Sequence, residues 1–282
     1  MNVKTFAGKV LTVLMACVLL GSVAHAEEWY IPKTIEVLPK GRVEAGVRLQ
    51  LSGNEDGILD TQEVSLIPSV RYSPTTQLEI YGEIPLSNKS QDQIVGFSVV
   101  ENDRSGIGDL FLQATYEIAA KSNWKVSGSL DVTAPTGNDP YENTVGLGSG
   151  YWTTAPGVNF AYVSDPAVLF AYLGYQYGFG ETFNVSGTST KVDPGASVRT
   201  RLGASFAFNP RLNMTMYTAL DFRDDTKHND VKVAESDDTL ARIGLSFGFK
   251  LDKDMSVGMN TVFGLNDSTS DYVISLGMRY GF

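Results

Sequence analysis

Apolar and polar residues alternate with a period of two through most of this chain, and this pattern constrains the fold more than any other feature. The last segment shows it most clearly, because one of its faces is entirely apolar or aromatic: Tyr272, Ile274, Leu276, Met278, Tyr280 and Phe282. The opposite face carries mainly glycine, serine and arginine. Since successive side chains of a strand point to opposite faces, the pattern predicts a β-strand. An apolar face towards lipid and a small or charged face towards a lumen are typical of a membrane barrel.

Twelve segments show this alternation, and each is about as long as the nine to eleven residues that a tilted membrane strand needs. They cover residues 41–52, 62–73, 77–87, 107–119, 124–135, 151–163, 168–180, 196–208, 212–223, 239–251, 255–265 and 271–282. Strand boundaries inferred from a sequence are accurate only to a few residues, so ten and fourteen strands are alternatives.

The connections between these segments alternate strictly between short and long. Turn-forming residues fill the short ones, at 74–76, 121–123, 165–167, 209–211 and 252–254. The longer ones are mostly rich in Asp, Asn, Gly and Ser, at 53–61, 88–106, 136–150, 181–195, 224–238 and 266–270. Outer-membrane barrels combine an even strand number with short periplasmic turns and longer outside loops. We therefore predict an all-β fold, a transmembrane antiparallel up-and-down β-barrel of about twelve strands over residues 41–282.

The first 26 residues read as a cleaved signal peptide. Lys4 and Lys9 precede an apolar run over residues 10–23, and Ala24-His25-Ala26 offers a cleavage site after Ala26. A lipoprotein signal at Cys17 is the alternative, but the residues after Cys17 stay apolar where a lipoprotein turns polar. No later apolar stretch is long enough for a membrane helix, so a closed sheet is the expected way into a bilayer.

Residues 27–40, between the signal and the first strand, show no sustained alternation and contain Pro32 and Pro39. This segment is predicted to lie in the periplasm or to enter the lumen as a small plug, and the sequence does not decide between the two.

The C-terminal residues point to the cell outer membrane. Met278, Tyr280 and Phe282 end the last strand on its apolar face. They resemble the C-terminal signal of proteins that the bacterial outer-membrane assembly machinery inserts. We therefore expect that machinery, outer-membrane lipid and lipopolysaccharide as partners.

The overall charge and the cysteine content exclude several functions. The chain has 32 acidic against 22 basic residues, a balance that argues against nucleic acid as a partner. The one cysteine, Cys17, lies in the predicted signal peptide, so thiol chemistry is not expected of the mature chain. We predict no cofactor and no dedicated metal site.

The polar faces of the predicted strands place many charged side chains in the lumen. These lumen-lining candidates are Arg42, Glu44, Arg48, Arg71, Glu79, Glu83, Asp109, Glu117, Lys125, Asp131, Arg199, Arg201, Arg223, Arg242 and Arg279. A basic residue facing mid-membrane lipid instead would cost about 2–4 kcal/mol. Two alternatives follow: opposite charges on neighbouring strands pair across the sheet, or the charges line a polar path. Twelve strands lie between a filled eight-stranded barrel and an open porin, which favours a narrow or partly plugged passage.

Catalysis is not expected. The single histidine after the signal, His228, lies in the charged segment 224–230, which is typical of a solvated loop. A barrel hydrolase needs a histidine that is rigidly held beside an acid or a serine.

Several motifs resemble the barrel family named for the MetA (meta-cleavage) pathway of phenol degradation. They are Gly106-Ile107-Gly108-Asp109 with the strand after it, Asp131 to Gly137, Gly146-Leu147-Gly148-Ser149-Gly150, Asp165-Pro166 and Leu173-Gly174-Tyr175. The family more often has a leucine-like residue where Ala134 stands. The resemblance implies an outer-membrane transporter of small, aromatic or hydrophobic, molecules and implies no catalytic residue. The residue types themselves favour turns and bulges over ligand contact.

Two functional hypotheses follow. The first is a passive channel or transporter for small molecules through a narrow polar lumen, and the second is a closed structural or adhesive barrel that acts through its acidic outside loops.

Overall fold

The computed structural model describes residues 37–56, 59–95, 98–141, 145–185, 187–233, 236–266 and 269–282. Over these ranges the chain forms eighteen strands: β1 (Val43–Asp56), β2 (Leu59–Tyr72), β3 (Leu78–Glu83), β4 (Leu86–Val95), β5 (Ser98–Ile107), β6 (Leu110–Lys121), β7 (Trp124–Ala134), β8 (Thr153–Ser164), β9 (Ala167–Gly178), β10 (Glu181–Val185), β11 (Thr188–Asp193), β12 (Ser197–Asn209), β13 (Leu212–Arg223), β14 (Lys227–His228), β15 (Val231–Lys232), β16 (Asp238–Lys250), β17 (Met255–Gly264) and β18 (Tyr272–Gly281). None of the described residues belongs to a helix long and apolar enough to cross a membrane. The predicted signal peptide lies outside the described residues and stays a prediction.

Twelve of the described strands form a closed antiparallel barrel. The order around it is β1, β2, β3, β6, β7, β8, β9, β12, β13, β16, β17 and β18, and β18 pairs with β1 to close the sheet. Closure satisfies the backbone groups of both edge strands, as a bilayer requires. The predicted fold class and strand number are confirmed, and every predicted segment corresponds to one barrel strand.

The outside loops contain more β-structure than the sequence predicted. Strands β4 and β5 form a hairpin that covers the predicted loop 88–106 and extends one or two residues beyond it at each end, and β4 pairs with the outer half of β2. Strands β10, β11, β14 and β15 form a separate four-stranded sheet, here called the outer sheet. These strands lie in connections that were predicted as outside loops, and β4, for example, lacks the apolar-polar alternation that revealed the barrel strands.

The barrel is apolar outside and polar inside. Leu173, Leu202 and Leu276 are 56–65% exposed on the outer surface, whereas Ser127 and Ser205 are fully buried on the inner one. This arrangement is the one that a barrel surrounded by lipid requires. A small apolar cluster of Ala161, Val168 and Phe170 also packs inside the wall, against Val163 and Tyr217.

Candidate permeation path

The outer end of the lumen carries a long connection between β7 and β8, and its described residues, 135–141 and 145–152, are here called the mouth loop. Asp109 anchors it to the start of β6. The Asp109 Oδ2 atom accepts hydrogen bonds from the Ser149 backbone amide at 2.7 Å and the Ser149 hydroxyl at 2.8 Å, and Oδ1 accepts one from the Gly137 amide at 3.1 Å. One carboxylate therefore ties both ends of the mouth loop to the barrel.

A second set of bonds draws the other motif residues into the same cluster. The Thr136 hydroxyl donates to the Gly108 carbonyl at 2.7 Å and accepts from the Leu110 amide at 2.9 Å. A Cβ added at Gly148 would collide with the Asp109 carboxylate and reach within 3.0 Å of the Gly137 Cα. The glycines are thus needed for close approach, which gives these motif residues a role in holding the mouth loop.

Aromatic contacts connect the mouth loop to the outer sheet. The ring of Tyr141 stacks on Phe183 with centroids 4.5 Å apart, and His228 meets Tyr141 edge-on at 6.3 Å. Burial, together with the nearby Tyr151 and Asp139, raises the pKa of Tyr141 to about 12. The mouth loop is therefore held from below by Asp109 and from above by the outer sheet.

Tyr151 belongs to the mouth loop, just before β8. Burial raises its pKa, while the charge of Arg223 lowers it and that of Asp109 raises it. Asp109 stands at the start of β6 and Arg223 at the end of β13, five strands away around the barrel. The Tyr151 hydroxyl is thus influenced by charges on two widely separated strands.

Below the mouth, charges on β12, β13 and β16 cluster around one buried carboxylate. Asp221 is 7% exposed and pairs with Arg199, its cross-strand partner, at 3.9 Å. Its other oxygen binds Arg242 on the neighbouring strand. Arg201 lies over the ring of Tyr217, with its guanidinium carbon 5.1 Å from the ring centroid. On the facing wall, Asp131 accepts a hydrogen bond from Gln113 at 2.8 Å.

At the periplasmic end, a chain of ion pairs crosses from β3 to the turn after β16. Arg71 binds Glu79 through two nitrogens at 2.8 and 2.9 Å, and it reaches Glu44 at 3.1 Å. Arg42 continues the chain to Asp254 at 3.3 Å. Opposite charges on neighbouring strands thus pair across the sheet here.

A further pair spans β1 and β3. Arg48 approaches Glu83 at 3.2 Å, and the Tyr81 hydroxyl also donates to Glu83. Tyr81 was missed by the sequence analysis, although alternation places it on the same face as Glu79 and Glu83.

The end of the N-terminal segment reaches into this periplasmic part of the lumen. The Leu38 amide donates to Glu79 Oε2 at 3.1 Å, and Leu38 is 9% exposed. Of the two places predicted for residues 27–40, the described part, 37–40, touches the lumen wall. No sequence signal identifies this contact.

A polar cavity of about 490 Å³ lies in the periplasmic half of the barrel. Its wall comes from β1–β3 on one side and β13 and β16–β18 on the other, and it includes Arg42, Glu44, Arg48, Arg71 and Arg279. Within the part of the chain that the structure describes, the lumen therefore contains open volume on this side, while the mouth loop lies at the other.

Other candidates stand apart from these clusters. Glu117 and Lys125 are half-buried on β6 and β7, and neither forms an ion pair with any residue that the structure describes. Within the described ranges no group of three or more acidic, histidine or cysteine side chains is arranged to hold a metal ion. The predicted assembly residues Met278, Tyr280 and Phe282 all lie on the outer surface and are 41–73% exposed.

Residues 45–282 match the family described as "Putative MetA-pathway of phenol degradation". The chain belongs to this family, as its motifs suggested. An outer membrane channel from Pseudomonas putida F1 has a similar fold, with a TM-score of 0.73 at 16% identity over 89% of this chain and 99% of that one. The translocator domain of the autotransporter NalP from Neisseria meningitidis aligns with a TM-score of 0.53 at 10% identity, over 98% and 95% of the two chains.

The fold is that of an outer-membrane β-barrel, and it is similar to the fold of a known outer membrane channel. A closed barrel with an apolar exterior and a polar interior is built for a bilayer, and barrels of this class occupy the outer membrane. The predicted location is confirmed.

Proposed function

We propose that this protein is a passive channel for small molecules, with a narrow polar lumen that the mouth loop restricts at its outer end. The observation that supports this proposal most directly is the cavity of about 490 Å³ inside the barrel wall. A barrel that served only as a scaffold would have its lumen filled by side chains, as in the eight-stranded class.

The lining argues for polar permeants over the aromatic or hydrophobic ones that the family resemblance implies. Charged and hydroxyl-bearing side chains such as Arg71, Arg279, Ser246 and Ser275 face the cavity. An apolar molecule gains nothing by leaving lipid or water for such a wall, whereas a polar solute exchanges water for these groups.

The second candidate is a closed barrel that acts through its outside loops. The packing of the outer sheet on the mouth loop, through Tyr141, Phe183 and His228, favours it. An ordered outer surface presents its side chains to a partner in a fixed arrangement, which lowers the entropy cost of binding.

Single-channel recording of the purified protein in planar bilayers separates the two candidates. We expect stable conductance steps, and silence in repeated preparations would support the closed barrel. A Ser275→Trp variant should lower the conductance, because Ser275 is 5% exposed on the inner wall. Its neighbour Leu276 is 56% exposed on the outer surface, so Leu276→Trp is the matched control and should conduct normally. Equal effects of both variants would argue against conduction through the lumen.

A further inference from the structure

Nine cavity-lining residues on β16, β17 and β18 form a three-by-three array, here called the glycine recess. Strand register groups them into three rows, which run across the sheet: Ser246, Asn260 and Ser275; Gly248, Gly258 and Gly277; Lys250, Ser256 and Arg279. Cross-strand partners face the same side of a sheet, so every row faces the lumen.

The middle row is a floor without side chains. Neighbouring rows are two residues apart, about 7 Å along the strands. None of the three glycines has a positive φ, so the backbone conformation does not require glycine there. A Cβ at Gly277 would meet its nearest neighbour, the Val47 carbonyl, at 3.4 Å, which is ordinary contact. The absence of side chains leaves a shallow space between the outer rows.

Two cations flank this floor without partners of their own. Neither Arg279 nor Lys250 forms a side-chain hydrogen bond or an ion pair with any residue that the structure describes, although both face the cavity. The Cα atoms of direct cross-strand partners are about 4.5–5.5 Å apart. With Ser256 between them, the two cations therefore stand roughly 10 Å apart at the backbone, close enough for both long side chains to reach one ligand.

The nearest carboxylates are already engaged. Arg71, Glu44 and Glu79 all influence Arg279 electrostatically, and both carboxylates pair with Arg71. Asp254, on the adjacent turn, pairs with Arg42. Asp252 also lines the cavity, and its Oδ1 accepts hydrogen bonds from the Asp254 and Met255 backbone amides. The Arg279 stem lies over Gly46, where a Cβ would approach its Cγ within 3.0 Å. Arg279 is thus accommodated on the wall, yet its charge is not matched by an acid of its own.

The opposite row supplies further donors. The Ser246 hydroxyl donates to Asn260 Oδ1 at 2.6 Å, which leaves the Asn260 amide N–H groups to donate elsewhere. Ser256, at 8% exposed, adds a hydroxyl between the two cations. Donors on both sides of an empty floor, two of them charged, suit an acceptor-only ligand.

We propose that the glycine recess binds a small oxyanion, a carboxylate or phosphate group held by Arg279 and Lys250 over the glycine floor. The proposal rests on the channel function, because it names the class of solute that the lumen accepts. A guanidinium recognises such groups through two parallel hydrogen bonds.

Binding is measured first, independently of conduction, by isothermal titration of the detergent-purified protein with inorganic phosphate and, separately, with acetate. Arg279→Gln and Lys250→Gln should each weaken binding by about tenfold or more, as loss of a charge-assisted hydrogen bond implies. Gly277→Leu keeps both charges but fills the floor, and it should also abolish binding. Arg211→Gln, on the exposed periplasmic turn, is the control and should bind as the parent does. Heat-modifiable gel mobility verifies that each variant is folded.

Reversal potentials in a KCl gradient then test conduction, and Arg279→Gln should lower the preference for chloride over potassium. Binding of either anion that depends on Arg279 supports the recess, and the two titrations separate phosphate from carboxylate. No binding of either anion, or binding that Arg279→Gln and Gly277→Leu leave unchanged, overturns the proposal even if the barrel conducts. Recess-dependent binding by a barrel that never conducts would instead overturn the channel function and leave the anion site standing.

Discussion

Asp109 and Ser149 are 40 residues apart in the chain, yet one carboxylate oxygen of Asp109 accepts hydrogen bonds from both the backbone amide and the hydroxyl of Ser149. Hydrogen bonds to a charged group contribute about 1.5–3 kcal/mol each. These bonds hold the Ser149 end of the mouth loop against the barrel rim. Substitutions in this pair therefore test whether the mouth loop restricts the lumen.

Asp109→Ala should release the mouth loop without unfolding the barrel. We expect faster cleavage of the mouth loop by external protease and larger or more frequent conductance steps, because three hydrogen bonds to the carboxylate are lost. Ser149→Ala removes only the hydroxyl bond and should have a smaller effect. If Asp109→Ala leaves both protease sensitivity and conductance unchanged, the mouth loop does not gate the lumen.

Gly148→Ala tests the same loop by steric means. The added methyl group would overlap the Asp109 carboxylate and crowd Gly137, so the hydrogen bonds of Asp109 must lengthen. We expect a phenotype like that of Asp109→Ala. Gly187→Ser is a control in another outside loop, because a Cβ at Gly187 meets nothing within 4 Å. Since Gly187 has a positive φ, the only expected cost of this substitution is local backbone strain. If Gly148→Ala leaves protease sensitivity and conductance unchanged, the residues around Asp109 accommodate the methyl group without losing their hydrogen bonds.

Arg71→Met should destabilise the barrel strongly. Glu79 is 3% exposed and depends on Arg71 for a two-nitrogen ion pair, and breaking a buried pair typically costs about 3–5 kcal/mol. The double variant Arg71→Met, Glu79→Gln should regain much of that loss, because no buried charge is left unpaired. Urea unfolding in lipid vesicles measures both. A single variant as stable as the parent would show that water reaches Glu79 freely.

The sequence predicted the barrel well because lipid and lumen impose opposite demands on successive residues. That demand ends above the membrane, and the β4–β5 hairpin was therefore missed: Asn88, Lys89 and Ser90 are successive polar residues in a strand that neither face drives into lipid. The signal in such strands is pairing with a neighbour, here β2, which a single sequence does not display.

The lumen could be predicted only as a set of inward-facing residues. Alternation assigns Arg279 and Lys250 to the inner face, but their grouping around three glycines depends on the register of β16, β17 and β18. A shift of one residue in any strand would disperse the array. Likewise, the motif around Ser149 was visible in the sequence, whereas its bond to Asp109 required the fold.

Deleting Phe282, or replacing it with Glu, should lower the yield of assembled barrel. The Phe282 amide donates to the Val43 carbonyl at 2.8 Å and extends the β18–β1 closure. Its ring contacts Tyr280 at 5.0 Å on the outer surface, at the level where aromatic residues meet headgroups. Heat-modifiable mobility of membrane fractions reports assembly, and Phe282→Tyr is the conservative control. Normal assembly of the deletion variant would contradict a role for this residue as an assembly signal.

Neighbouring residues of β16 test which face meets lipid. Leu245 pairs in register with Met216, which is 48% exposed on the outer surface, so Leu245 shares that face. Leu245→Arg should cost about 2–4 kcal/mol of folding stability, because the guanidinium enters hydrocarbon. Ser246 points the other way, into the glycine recess, where the cavity is open and cations already line the wall. Ser246→Arg should therefore be much milder.

Folding into vesicles over a range of urea concentrations measures both variants. Adjacent side chains of a strand point to opposite faces, so a larger loss for Ser246→Arg would mean that the two faces of β16 are reversed, and the anion recess would lose its lumenal position with them.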